Sequence, residues 1–210
     1  KVNEDKSEGV IISLNCETDF VAKNNDFLNF ANEILDIAEN VNTIEDLLNS
    51  KVRDLSLSDK LIEQTGIIGE KIEIGNFQKL SGNYIGGYVH AGNKIAAMVA
   101  LSNSTQISEE ISKNVAMQVA AMNPLALNEN SVDASIVEKE TEIIKEQLIK
   151  EGRPENIIDN IIAGKLKRFY KDNTLVNQSY IKDSKISVEG YVKSIDKDLS
   201  ITSFVRVSLV

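Results

Sequence analysis

Cysteine, proline, histidine and tryptophan are scarce or missing in this chain of 210 residues, and each shortage excludes something. Cys16 is the one cysteine, so no intramolecular disulfide forms, and a reducing, cytoplasmic setting is expected. Two prolines and no low-complexity tract exclude a long structureless linker. His90, the single histidine, has no partner at a recognised spacing and so no defined acid–base role of its own. Cations are in deficit as well. Twenty-three Lys and Arg face 32 Asp and Glu, for a net charge of -9, whereas neutralising phosphates needs a Lys/Arg excess. A chain-wide nucleic-acid surface is therefore excluded. No apolar run approaches the ~20 residues of a membrane span, and no signal peptide opens the sequence.

What is present reads as a soluble, mixed domain with enough length to bury a real core. The chain begins at Lys1, without Met and directly before a strand, so its natural N-terminus is expected upstream. "EGVIISLN" is short, β-branched and continuous, which predicts a buried strand. Phe27, Phe30, Ala31, Ile34, Leu35 and Ala38 then fall on one helical stripe, with Asp26 as the expected N-cap. "TIEDLLNS" and "SLSDKLIEQTG" predict shorter helices, the second closed by Gly66. "EKIEIGNFQKL" alternates at period two, and "NYIGGYVHAGNKIAAMVALS" predicts a hairpin turning at Ala-Gly-Asn-Lys. "SEEISKNVAMQVAAMNP" is a further helix, with Ser108 as the expected cap and Pro124 beyond its end. Val10–Ala38 and Ile95–Asn123 echo each other as strand, polar break and helix, which predicts two related subdomains.

From Val132 to Lys171 the pattern changes. Apolar pairs recur at Ile136/Val137, Ile143/Ile144, Leu148/Ile149, Ile157/Ile158 and Ile161/Ile162, while acids and bases balance. Gly152 and Pro154 in "EGRP" break the run into two helices, and so short a loop makes them antiparallel. The expected architecture is α+β: two related α/β subdomains with antiparallel sheets and an inserted antiparallel coiled-coil hairpin. Residues 1–82 form the first subdomain, 83–131 with 172–210 the second, and 132–171 the hairpin. "SVEGYVKSI" predicts a short helix and "LSITSFVRVSLV" a final strand.

Candidate chemistry is thin. Cys16 with His90 is a conceivable nucleophile and base, but no spacing rule links them, and a cysteine at a strand end is more often a small packed side chain. Glu17 and Asp19 offer too few oxygens for a Ca²⁺ or Mg²⁺ cage, and no glycine-rich phosphate loop opens a helix. No catalytic residue, metal site or cofactor is expected. The basic run "GKLKRFYK", Gly164 to Lys171, is a possible nucleic-acid contact, but cations there suit a helix C-terminus better. "LNCETDFVAKNNDF" is the unusual stretch, since Phe20 and Val21 sit inside a polar break after Thr18 and Asp19. Phe20 either folds back onto the core like a hydrophobic staple or is an exposed aromatic anchor, and residue patterns leave both open.

"NCETDFVAKN" closely resembles the signature segment of the elongation factor Ts family, nucleotide exchange factors for the GTPase elongation factor Tu. "GGYVHAGNKIAAMVAL", "AMQVAAMNP", "LVNQSYIKDSKISV" and "ITSFVRVSLV" resemble later family segments in the expected order, so the likeness spans essentially the whole chain. The resemblance implies a non-enzymatic factor that binds GDP-bound and nucleotide-free elongation factor Tu, with no membrane and no direct nucleic-acid contact. It implies that Asp19 and Phe20 enter near the GTPase's Mg²⁺ site, that Thr18 and Val21 shape the corner, and that His90 is a partner-surface residue. It also implies an N-terminal helical domain, absent before Lys1, and a continuation after the last strand, whereas the chain stops at Val210. Where the family often has His in "AMHxAA", this chain has Gln118. A cysteine hydrolase and a hairpin-centred interaction module are the competing readings.

Overall fold

The computed structural model of the protein describes residues 1–209. The first apolar run is strand β1 (Glu8–Asn15), which pairs antiparallel with a strand more than fifty residues later. Between them run a single helical turn α1 (Asp19–Ala22), α2 (Asn25–Ala38), α3 (Ile44–Asn49), the short strands β2 (Lys51–Val52) and β3 (Leu55–Ser56), and α4 (Leu57–Ile68). The partner strand β4 (Glu73–Ser81) follows. Its ladder with β1 shifts register between Ser13 and Leu14 and ends at the Asn15–Glu73 pair.

Continuous hydrophobicity in β1 has a clear physical use, because both faces are covered. Val10, Ile12 and Leu14 join a core with Phe27, Phe30 and Ile34 of α2, Leu47 of α3, and Leu57 and Leu61 of α4. Ile11 points the other way, into a cluster with Ile85, Met98, Ala100 and Val207. Those residues belong to a second sheet, in which β5 (Tyr84–Val89) and β6 (Ile95–Leu101) form the predicted hairpin and β9 (Ile201–Ser208) pairs with β6. Gly92 and Asn93 both take left-handed φ in its turn (88° and 57°). Helix α5 (Ser108–Met122) follows β6, and its Ile111, Val115, Ala116 and Val119 are buried.

Further along are a 3-10 turn (Glu129–Ser131), helices α6 (Ala134–Lys150) and α7 (Glu155–Asn173), a small hairpin of β7 (Ser179–Tyr180) and β8 (Asp183–Ser187), α8 (Val188–Ile195), and β9 (Ile201–Ser208). The α6–α7 hairpin closes on Ile144, Leu148, Ile158 and Ile162, with Ile161 and Leu166 alongside. One member of an apolar pair is buried while its neighbour faces out: Ile143, Ile149 and Ile157 are exposed. Adjacent helical residues point about 100° apart, so a narrow seam accepts one of each pair. Tyr180 and Tyr191 stack with ring centroids 4.1 Å apart, pinning α8 to the β7–β8 hairpin.

The α+β class, the antiparallel pairing and the helical hairpin are as expected. Three caps are not. Asn24, rather than Asp26, caps α2, its side chain accepting the Asp26 N–H at 2.7 Å. Asp26 lies in the first turn, where its charge still suits the helix dipole. α4 runs through Gly66 and ends at Gly69, whose φ of 79° supplies the left-handed C-cap. Ser108 is the first residue inside α5, and its hydroxyl bonds back to Thr105 N–H and the Asn103 carbonyl. The structure has two compact units. One holds Lys1–Ala120 with the chain from Phe204, and the other holds Ala121–Ser203. β5 and β6 group with the first because they lie against β1 and β4.

Gly86 of β5 marks the closest approach in the first unit. A Cβ there would lie 1.9 Å from Ser112 Oγ and 2.3 Å from its Cβ, so only glycine lets α5 sit this near the sheet. A Cβ at Gly87 meets nothing nearer than 3.6 Å. Gly86→Ala is expected to destabilise by about 1–3 kcal/mol through overpacking. Gly87→Ala should be neutral or slightly stabilising, because it restricts the unfolded chain at no steric cost. Urea unfolding of the two variants checks the difference in sign.

Candidate functional site

β1 leaves the sheet at Asn15, and the next residues make a corner that projects Asp19 and Phe20. Thr18 is the N-cap of α1, its hydroxyl accepting the Val21 N–H at 3.4 Å. Val21 turns inward and packs against the core of β1 and α2. Phe20 turns outward and is 89% exposed, the most exposed large hydrophobic side chain among the described residues. The staple reading of Phe20 is thereby excluded, and Val21 fills the core-facing role. Burying an aromatic is worth about 1.5–3 kcal/mol, so leaving Phe20 in water forgoes a stabilisation that the fold places within one residue's reach.

The corner is anchored from the far end of α4. Gly69 turns the chain out of the helix, and the carboxylate of Glu70 accepts from Thr18 N–H (2.9 Å), Glu17 N–H (3.0 Å) and the Thr18 hydroxyl (2.5 Å). Glu17 returns the bond, its own carboxylate accepting the Lys71 N–H at 3.3 Å. The Thr18 hydroxyl, then the Thr18 and Glu17 amides, hold the Glu70 carboxyl below its usual range against partial desolvation.

A second support comes from the β5–β6 turn. Lys94 Nζ lies 2.9 Å from Asp19 Oδ1, and the Lys94 carbonyl accepts the Leu209 N–H, which fixes the turn's backbone. His90 sits in the same turn, exposed, with Nδ1 3.0 Å from the Tyr88 hydroxyl and its backbone bonded to Ile95 and Asn93. Thus Thr18, Asp19, Phe20 and Val21 form one corner, and the turn carrying His90 touches it through Lys94. Sequence reasoning missed Glu70 and Lys94. Neither carries a local signal, because each acts on residues more than fifty positions away.

The chemistry available here is limited. Burial and the neighbouring Glu70 charge push the Cys16 thiol up, away from the thiolate a nucleophile needs, and its Sγ donates to the Thr18 carbonyl. Cys16 and His90 are bonded to different groups. Among the described residues, no group of three or more His, Cys, Asp or Glu is placed to hold a metal ion. A groove of about 370 Å³ runs beside β5, lined in part by Val2, Ile11, Tyr84, Gly87 and Met98, and no residue of the corner lines it. Gln118 is fully buried in α5, and the basic run at Gly164 to Lys171 occupies the last turns of α7, where Arg168 pairs with Asp172. Among the described residues, no helix is long and apolar enough to cross a membrane.

Fold and site define an α+β protein whose distinctive feature is a projection rather than a pocket. A family model described as elongation factor TS matches residues 17–210. Elongation factor Ts of Christiangramia forsetii is 56% identical over 209 residues, spanning 100% of this chain and 76% of that protein. The corresponding figures for Flavobacterium psychrophilum elongation factor Ts are 55% over 208 residues, 99% and 76%. A more distant relative, from Clostridium perfringens, is 38% identical over 216 residues, covering 98% of this chain and 71% of its own. The chain belongs to the elongation factor Ts family.

Lys94, by hydrogen bond and by charge, holds the Asp19 carboxyl below the usual carboxylate range, with Lys23 adding to the effect. Because the folded-state pKa is depressed, the tether's contribution is present above the unfolded-chain value and is lost as pH falls through the folded one. Carboxyl ¹³C NMR should therefore show Asp19 titrating below an ordinary aspartate, and Lys94→Met should move its midpoint upward. An unmoved midpoint contradicts the tether.

Proposed function

We propose that the chain binds GDP-bound elongation factor Tu and promotes nucleotide release by inserting the Asp19–Phe20 corner beside the Mg²⁺ that bridges GDP to the GTPase. It then stabilises the nucleotide-free GTPase until GTP binds, in the cytoplasm where that GTPase works. Membership of the elongation factor Ts family supports this reading. So does one structural observation above the others, the 89% exposure of Phe20 on a corner that Glu70 ties back to the end of α4. An aromatic held out in water at no steric necessity is what an interface anchor requires.

The mechanism is coupling rather than bond chemistry. A factor that binds the empty GTPase more tightly than the GDP form must, by linkage, weaken GDP by the same factor. Asp19 brings a negative charge towards the metal's ligand shell, and Phe20 supplies apolar burial that exists only when the corner is seated. Thr18 caps the helical turn and Val21 roots it in the core, so together they set the direction in which Phe20 points. His90 belongs to the same surface in this reading, since its turn delivers Lys94 to Asp19.

Phe20 contributes about 1.5–3 kcal/mol when fully buried, so its removal should slow catalysed release by roughly ten- to a hundredfold. Stopped-flow release of a fluorescent GDP from elongation factor Tu tests this with Phe20→Ala. The slowing is expected with the unfolding midpoint unchanged. An unaltered release rate would refute the wedge.

A further inference from the structure

Resting on the reading of Asp19 and Phe20 as a wedge, we propose that Glu70 is its positioning residue. Glu70 closes a reciprocal clasp between the 17–18 and 70–71 segments and so fixes the angle at which the corner is presented.

Several nearby features cannot hold the corner by themselves. α1 is four residues long, below any length at which a helix is stable on its own. The main-chain ladder that carries β1 stops at the Asn15–Glu73 pair, one residue before Cys16. Thr18's capping bond to Val21 is long at 3.4 Å. The Lys94–Asp19 pair is a single contact between two side chains that are 47% and 63% exposed, a class of ion pair with little net effect. Glu70 differs in kind. One carboxylate takes two backbone amides and one hydroxyl, all charge-assisted, from consecutive residues next to the wedge. The bond from Lys71 N–H to Glu17 Oε1 runs in the opposite sense, so the two segments hold each other at both ends. Where the strand ladder ends, side-chain carboxylates continue it. The left-handed turn at Gly69 (φ 79°, ψ 10°) is what brings Glu70 off α4 to this place. A wedge works only in a narrow geometry, and a displacement of about 1 Å in a reacting constellation can cost on the order of a hundredfold. Glu70 touches neither nucleotide nor metal in this account. It acts through Thr18.

The test pairs exchange kinetics with hydrogen exchange in the full chain. Glu70→Ala is expected to lower the saturating rate of GDP release from elongation factor Tu by about tenfold or more, the scale of losing hydrogen bonds to a charged acceptor. The concentration of factor at half-maximal rate should change less. Glu70→Gln keeps an acceptor oxygen for the two amides and should recover most of the rate. In a Phe20→Ala background, Glu70→Ala should add clearly less than it does alone, since only Asp19 is then left to position. In the free protein, the Glu17 and Thr18 amides should exchange slowly with solvent, lose that protection in Glu70→Ala and keep it in Glu70→Gln. A Glu70→Ala rate equal to that of the unaltered chain, or an effect that multiplies fully with that of Phe20→Ala, overturns the proposal. If Phe20→Ala itself leaves release unchanged, the wedge reading fails and the positioning role fails with it. Amide protection then reports on the clasp alone, and protection unchanged in Glu70→Ala shows that the clasp never formed.

Discussion

One carboxylate organises the corner on which the functional account depends. Glu70 accepts from Thr18 and Glu17 through three hydrogen bonds, at the point where β1 has left its ladder and α1 is too short to stand alone. Everything outward of it follows. Thr18 is held in the extended conformation of a helix cap, α1 begins at Asp19, and successive positions of one helical turn send Val21 into the core and Phe20 into water. An exposed aromatic on a floppy loop would pay the entropy of ordering at every encounter, whereas one on a fixed corner is ordered before the partner arrives.

The scaffold beneath explains why the corner can be rigid. β1 is covered on both faces, by the α2–α4 core on one side and by the β5-β6-β9 sheet on the other, and buried strands are the last elements to open locally. The corner is therefore the direct extension of a well-fixed element. The β5–β6 hairpin returns to the same place through its turn, where Lys94 meets Asp19. Two segments distant in sequence thus converge on residues 17–19, and Lys94 partly balances the charge of Asp19.

Much of this architecture was legible from local pattern. The continuous run in β1, the stripe from Phe27 to Ala38 and the paired isoleucines of α6 and α7 translate period into burial without needing tertiary information. Cap positions were less legible, because Asn24 against Asp26 and Gly69 against Gly66 differ by a turn or less and are decided by where packing ends a helix. At the site, Phe20 and Val21 stood out as apolar residues in a polar break, yet period alone left Phe20 between core and surface; the turn geometry that sends Val21 inward decides it. Glu70 and Lys94 were invisible because a carboxylate after a helix and a lysine in a hairpin turn are commonplace. Their meaning lies wholly in contacts across more than fifty residues.

The central claim is that this chain and GDP oppose each other on one GTPase. Its most direct measurement is the affinity of the chain for elongation factor Tu, determined by titration with nucleotide absent and again at saturating GDP. The account predicts that affinity is lower with GDP, by the same factor by which saturating amounts of the chain weaken GDP binding. Equal affinities in the two conditions would contradict it.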